Sequence, residues 1–279
     1  MACYVVTGGA SGIGAEVVAG LLEGGHTVYS LDRHAHPTAR HVQVDLSDAG
    51  SIETAVERLP EVLDGLVHVA GVTGTADPRQ VLAVNLLAPR RLTALLLGRL
   101  RPGAAVVTVA SIAALRSSLP DQEVAGLLQK DDAELLTWLK GAELSGADTY
   151  DTCKKLLVVW TAALAGHLVP LRVRAASVSP GPVQTPLLTD FRSSMGTSVD
   201  DAERALGRHG DPGEVAAAVL FLLSASASWC NGIDLRVDGG LVALRTAAGM
   251  PELVGAAPSS GGEPVPHVGT RAPVPGVSR

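Results

Sequence analysis

Cysteine is scarce in this chain: Cys3, Cys153 and Cys230 lack paired or zinc-like spacing, which excludes a disulfide framework and a structural metal and leaves buried or half-buried thiols. Aromatic residues are few, with three Tyr, three Trp and two Phe in 279 residues, so there is little surface on which bases could stack. Basic residues cluster no further than the pairs Arg90-Arg91 and Lys154-Lys155, and the net charge is −6, which excludes nucleic acid as a partner. No apolar run reaches the roughly 18 residues that span a bilayer. The chain enters a strand at once, with no basic segment and no cleavage pattern before it, so a cytoplasmic protein without membrane contact is expected. His34, His36, His41 and His68 form no ligand pattern on one face and are read as surface or strand-edge residues, so no metal is expected.

What is present is a core. Hydrophobic residues make up 47% of the chain, enough for one large α/β domain buried on both faces of a sheet. The stretch Thr7-Gly8-Gly9-Ala10-Ser11-Gly12-Ile13-Gly14 organises the rest, because it follows the apolar run Cys3–Val6 and precedes the amphipathic segment Ala15–Leu22. Gly8 permits a tight turn, Gly12 lets a backbone approach a pyrophosphate and Gly14 allows close helix packing, while a helix N-terminus offers N–H groups to an anion. Asp32 ends the next apolar run at the distance expected of a second strand. A carboxylate there binds ribose hydroxyls and repels a 2′-phosphate, favouring NAD over NADP, although the neighbouring Arg33 could instead meet a phosphate.

Strand, helix and strand then alternate. A third strand, His41–Val44, is closed by Asp45-Leu46-Ser47-Asp48, and a helix follows to about Leu59. A fourth, Leu66–Ala70, runs into Gly71, where a small residue lets the backbone come close to the cofactor. A long helix from about Arg79 to Leu100 carries the polar Asn85, which either bonds locally or perturbs the backbone and holds a water. The fifth strand ends at Ser111, at the edge where parallel sheets place ligands. Its hydroxyl is a catalytic candidate or a helix cap. Residues 115–147 read as a peripheral helical insertion, a flap.

The next helix carries Tyr150 and Lys154, whose i,i+4 spacing puts phenol and ammonium on one face, where the cation favours tyrosinate. Beyond the sixth strand, Ser179–Pro186 makes a stiff bend in which Thr185 can bond the cofactor. Leu187, Leu188, Phe191 and Met195 supply either a lid or ordinary packing. A helix from Pro212 to Leu223 and a seventh strand at 233–237 lead to Asp238-Gly239-Gly240. The domain is expected to end near residue 246. The tail 247–279 holds six of the 17 prolines and reads as flexible.

With Gly8, Gly12, Gly14, Asp32, Gly71, Asn85, Ser111, Tyr150, Lys154, Pro180-Gly181 and Asp238-Gly239-Gly240 in this order, residues 1 to about 246 resemble the short-chain dehydrogenase/reductases. The resemblance implies a single-domain, Rossmann-type, doubly wound α/β fold with seven parallel strands and helices on both faces. It implies Tyr150 as acid/base, Ser111 on the substrate oxygen, Lys154 on the nicotinamide ribose and Asn85 behind a proton-relay water. Asp45 and Leu46 would flank the adenine, and Ser11, Ile13, Ala70, Val183 and Thr185 would complete the cofactor site. Val69 stands where the family usually has Asn, so one stabilising amide is missing. The interval from Ser111 to Tyr150 is longer than usual, and with Thr185–Leu188 it resembles the 3α-hydroxysteroid dehydrogenase/carbonyl reductase subgroup. The activity so implied is hydride transfer between NAD(H) and a secondary alcohol or ketone, bulky and steroid-like. Alternatives are a smaller alicyclic or biosynthetic substrate, or a catalytically silent NAD-binding regulator. A homodimer or homotetramer is expected, and because the flap could block the usual helix interface, a dimer built elsewhere is favoured.

Overall fold

The computed structural model describes residues 1–248, apart from the side chain of Met195; from residue 249 onward the expected flexible tail lies outside the described residues. Residues Met1–Val242 form one compact unit, and a second begins at Ala243. Seven strands, β1 (Cys3–Thr7), β2 (Thr27–Asp32), β3 (Arg40–Gln43), β4 (Leu63–His68), β5 (Leu100–Val109), β6 (Arg174–Pro180) and β7 (Asp234–Val237), pair in the order 3-2-1-4-5-6-7. Every pairing is parallel. The expected doubly wound sheet is therefore the observed one.

Alternation along the strands explains why both faces are covered. Val5, Leu66 and Val106 point into one cluster, beneath α2 (Ala49–Glu57) and α4 (Ala88–Leu96), and their neighbours Val6, Val67 and Val107 point into the other. The second face is closed by α1 (Gly12–Glu23), which buries Gly14, Val17, Val18 and Leu21, and by α10 (Pro212–Leu223), which buries Val215, Ala216, Val219, Leu222 and Leu223. Both show the three- and four-residue spacing of one helical face. Asp211 and Glu214 form a capping box that starts α10, with Pro212 in its first turn.

Two expectations are corrected. His68 lies in the core at 3% exposure, with Nε2 2.8 Å from Thr93 Oγ1, and burial pushes its imidazole down to about 3. A strand position that faces a helix-covered side is buried whatever residue occupies it. Residues 115–147 are less peripheral than expected. The short helices α5 (Asp121–Leu128) and α6 (Asp132–Ala142) bury Val124, Leu127, Leu135 and Leu139 in a third cluster with Tyr150 and Leu156 of α7 (Gly146–Leu168). Arg90 donates to the Lys130 carbonyl at 2.8 Å and Arg91 meets Asp132 at 2.7 Å, tying the insertion to α4. Two helical segments, Pro78–Arg99 and Gly146–Leu171, pass the length and composition test for a membrane span without forming an uninterrupted apolar run. Arg90, Arg91, Lys154 and Lys155 interrupt their apolar runs, and their inner faces pack onto the sheet and the third cluster.

Candidate active site

The order reversal between β1 and β4 opens a crevice at the carboxyl end of the sheet, the place where such folds bind ligands. On one side is the glycine-rich loop. Gly8 has φ +71°, and a Cβ there would stand 2.8 Å from the Ala70 backbone, so the loops after β1 and β4 touch main chain to main chain. A Cβ on Gly14 would overlap the Gly8 carbonyl, which lets α1 start directly beneath the loop. Gly12 has φ +52°, and a Cβ there would stand 3.1 Å from the Thr185 side chain, so the bend after β6 lies close over the loop.

The N-terminus of α1 is left available to an anion. Ser11 occupies the cap position with no side-chain hydrogen bond into the first turn, and that turn, which includes Ile13, has no acidic residue. A dinucleotide pyrophosphate fits this end of the helix. Asp32 stands beside it at the end of β2, where Oδ2 accepts from Ala10 N at 3.1 Å and Oδ1 from His34 N at 3.0 Å. Asp45 is held below the usual carboxylate range by hydrogen bonds from Ser47, with a smaller contribution from the charge of Arg33. Leu46 is partly buried against the core on the same edge. On the far side, Gly181 N donates to Val237 O at 3.0 Å, and a Cβ on Gly181 would meet Asp238 at 3.0 Å. The Pro180-Gly181 and Asp238-Gly239-Gly240 turns therefore pack together. Val183 pairs with Gly210 in an isolated bridge, and Thr185 N donates to the Val183 carbonyl at 2.9 Å.

Four polar residues converge beyond Gly71. Asn85 lies in a π-helical turn, Ala83–Leu87, that interrupts the long helix between α3 (Pro78–Leu82) and α4. It sits where the backbone is perturbed, and its side chain bonds across to Val72, 13 residues earlier, and not within its own helix. Val72 N donates to Oδ1 and Nδ2 donates to Val72 O, both at 2.9 Å. Oδ1 also crowds Gly71, where a Cβ would stand 3.1 Å away. Ser111 caps the 3-10 turn Ile112–Arg116, with Oγ accepting from Ala113 N at 3.1 Å, and it faces the Tyr150 phenol. Cap and catalytic candidate are compatible, since the hydroxyl proton is still free to donate. Lys154 Nζ is buried, lies 5.6 Å from the Tyr150 ring centroid and donates to the Val109 carbonyl at 2.9 Å.

The electrostatics depart from the expected lowering of the phenol pKa. Burial pushes Tyr150 well above the usual phenol range, and Asp151 adds to the rise; Ser111 and Arg116 pull against it. Burial also lowers Lys154 to about 8, which weakens the cation that was expected to stabilise tyrosinate. The α8 helix (Leu188–Met195) sets the Phe191 ring edge-on to Tyr150, with centroids 5.4 Å apart, so the lid segment touches the phenol in this state. A further helix, α9 (Ser198–Leu206), follows the lid and was not anticipated.

Thr7, the first residue of the loop, has a role that the loop pattern alone does not announce. Its Oγ1 accepts from Val69 N at 3.1 Å and Ala70 N at 3.2 Å, bridging β1 to the end of β4 where the family's usual Asn is absent. A Thr at the end of a strand, one residue before the glycine turn, was the available signal. Among the described residues, no group of three or more His, Cys, Asp or Glu is placed to hold a metal.

Comparison with known proteins follows this geometry. Residues 2–120 match the family model described as short chain dehydrogenase, and residues 136–242 match the one described as enoyl-(acyl carrier protein) reductase. The unmatched stretch between them lies in the insertion. The chain is 36% identical over 246 residues to coniferyl-alcohol dehydrogenase of Pseudomonas sp. (strain HR199 / DSM 7063), covering 85% of this chain and 95% of that protein. It is 29% identical to the 3-alpha-hydroxysteroid dehydrogenase/carbonyl reductase of Comamonas testosteroni over 88% of this chain and 98% of the relative. The crystal structure of 3-alpha-hydroxysteroid dehydrogenase from Pseudomonas sp. B-0831 complexed with NADH aligns with TM-score 0.77 and 35% identity, over 88% of this chain and 98% of that one. With this fold, this loop and relatives matched over nearly their whole lengths, the chain belongs to the short-chain dehydrogenase/reductase family.

Proposed function

We propose that this short-chain oxidoreductase transfers hydride between NAD(H) and a secondary alcohol or ketone on a bulky, apolar alicyclic skeleton. The observation that carries the reading is the convergence of Ser111, Tyr150 and Lys154 on one edge of the sheet, beneath an apolar lid and beside the open N-terminus of α1. The first turn of α1 would hold the pyrophosphate, Asp32 the adenosine ribose, Asp45 and Leu46 the adenine surround, and Lys154 the nicotinamide ribose. When bound, the nicotinamide supplies the site that accepts or donates hydride.

The chain's own groups manage the proton. Tyr150 takes the hydroxyl proton of the alcohol on its phenolic oxygen, and returns it in the reductive direction. Ser111 donates to the substrate oxygen as charge develops there. Asn85 ties the Gly71-Val72 segment after β4 to its own helical turn. The lid excludes water through Leu188 and Phe191. For the assembly, we favour a homodimer formed away from the part of α4 to which Arg90 and Arg91 tie the insertion.

A second reading has its own support. The 36% identity to a coniferyl-alcohol dehydrogenase favours an aryl-substituted allylic alcohol, a flat apolar substrate with the same proton chemistry. Initial rates with 3α-hydroxysteroids, coniferyl alcohol and small alicyclic alcohols, each with NAD and with NADP, separate the readings. Steroid oxidation at the highest kcat/KM supports the first, and preference for coniferyl alcohol replaces it with the second. Binding of NAD without turnover of any alcohol would return the silent regulator.

Cofactor choice is tested separately. Replacing Asp32 by Ala is expected to lower kcat/KM with NAD by about tenfold or more, since it removes a charge-assisted ribose contact of about 1.5–3 kcal/mol, and to improve relative use of NADP. An unchanged NAD to NADP ratio in Asp32→Ala would remove Asp32 from the account.

A further inference from the structure

Ser111 and Tyr150 must keep a fixed spacing to share one substrate oxygen, yet the chain between them leaves the sheet and runs through the whole insertion. Covalent connection does not set that spacing. Side-chain ties to α7 on both flanks of Ser111 contribute to it. The 3-10 turn that begins after Ser111 ends at Arg116, and the residue after Tyr150 is Asp151. Arg116 Nε donates to Asp151 Oδ2 at 2.8 Å, and Nη2 donates to Oδ1 at 2.6 Å. Both carboxylate oxygens and two N–H groups on one edge of the guanidinium are used, so the contact fixes orientation as well as distance. On the other side of Ser111, Lys154 holds the Val109 carbonyl. Ser111 is thus bracketed by two segments fastened to α7, one on each flank of Tyr150.

We propose that the Arg116–Asp151 pair is a positioning clamp that holds the Ser111 turn in register with Tyr150 while placing one charge of each sign beside the phenol. The inference rests on Tyr150 as the acid/base. The surroundings of the phenol make the two charges matter: it is buried, and Ser111, Lys154 and Cys153 are its other polar neighbours. Burial keeps the Cys153 thiol neutral, with its pKa pushed up to about 12. From α8 comes the Phe191 ring, flanked by Asp190 and by Arg192, which is paired with Asp200 and Glu203. From α3 come Val81 and Leu82, and the acid of α5 nearest α7, Asp121, is paired with Lys155. Asp151 works to raise the phenol pKa and Arg116 to lower it.

The clamp has a signature that a merely structural bridge lacks. The full-length enzyme is compared with Asp151→Asn, Arg116→Gln and the double variant, by pH profiles of kcat/KM for the alcohol and by NAD affinity in the absence of substrate. Each single variant is expected to lose about tenfold in kcat through misplacement of the Ser111 turn, with NAD affinity unchanged. The limb assigned to Tyr150 should move to lower pH in Asp151→Asn, and to higher pH in Arg116→Gln, by about half a unit or more, since the pair is partly exposed and screened. The double variant should lose little more than either single variant. Arg116→Lys, which keeps the charge but not the fork, should retain the limb while losing kcat, and it covers the case in which the neutral variant folds poorly. Shifts in the same direction, an unmoved limb in both variants, or additive losses in the double variant would overturn the clamp. Full activity of Tyr150→Phe would instead overturn the acid/base assignment beneath it, so the two failures are distinguishable.

Discussion

Tyr150→Phe is expected to lower kcat by about 10²–10⁴-fold, the range contributed by a positioned general acid or base. The substitution removes one oxygen from a side chain that is 5% exposed and packs edge-on against Phe191. The ring remains to fill the third apolar cluster, so the fold and the glycine-rich loop are undisturbed. NAD affinity, followed by quenching of protein fluorescence, should stay within about threefold of wild type, because the contacts named for the pyrophosphate and adenosine lie elsewhere. Loss of NAD binding in parallel with kcat would show that the phenol supports the cofactor more than the chemistry. Burial raises the pKa of this phenol, and oxidation, which draws on its deprotonated form, should accelerate as pH rises, whereas ketone reduction, which draws on the protonated form, should be flat or fall.

The second large effect concerns stability. His68 has its pKa depressed to about 3 by burial, against about 6.5 in an unfolded chain, so between these values the unfolded state binds one proton more than the folded state. The stabilising contribution of neutral His68 is complete above about pH 6.5. It is lost progressively as pH falls toward 3, by up to about 1.4 kcal/mol per pH unit. Thr93 shares the buried hydrogen bond, and a charged imidazolium has no carboxylate partner among the hydrogen bonds and ion pairs of that site. Urea unfolding at pH 7.0, 6.0 and 5.0 should therefore show falling stability in the wild type. In His68→Asn, which is less stable at pH 7 through the lost contact, the slope over this interval should be largely removed. An identical slope in the variant would mean that other groups carry the pH dependence.

These two residues also mark how far the sequence could be read. Tyr150 was legible because its partner Lys154 lies one helical turn away, and because Gly8, Asp32 and Ser111 each end a strand recognisable by its apolar run. The continuous apolar runs through Val5-Val6, Leu66-Val67 and Val106-Val107 marked strands covered on both faces, and the fold divides each pair between the two clusters. His68 was misread because the helix that covers its strand position, and the Thr93 hydroxyl that bonds it, come 25 residues later, a contact that no local pattern announces. The ion pair between Arg116 and Asp151 spans 35 residues and was invisible for the same reason. The insertion was visible as helical stripes, but nothing in its own sequence said that Val124, Leu127, Leu135 and Leu139 would pack beside Tyr150 and not toward solvent. The expected fall of the phenol pKa failed on magnitude: helical spacing gives the sign of a charge effect, whereas depth of burial, which wins here, is a property of the fold.

The central claim is hydride transfer to a nicotinamide at the Tyr150 site, and a single-turnover experiment with a deuterated alcohol tests it most directly. Excess enzyme is mixed with NAD and an oxidisable ring-bearing alcohol carrying deuterium on the carbinol carbon, and the recovered cofactor is analysed by mass spectrometry and proton NMR. The account predicts reduced nicotinamide carrying one deuterium at C4 on a single face, slower formation than from the protio alcohol, and loss of the signal in Tyr150→Phe. Alcohol oxidation that leaves no deuterium in the nicotinamide, or bound NAD that stays oxidised with every alcohol offered, would contradict it.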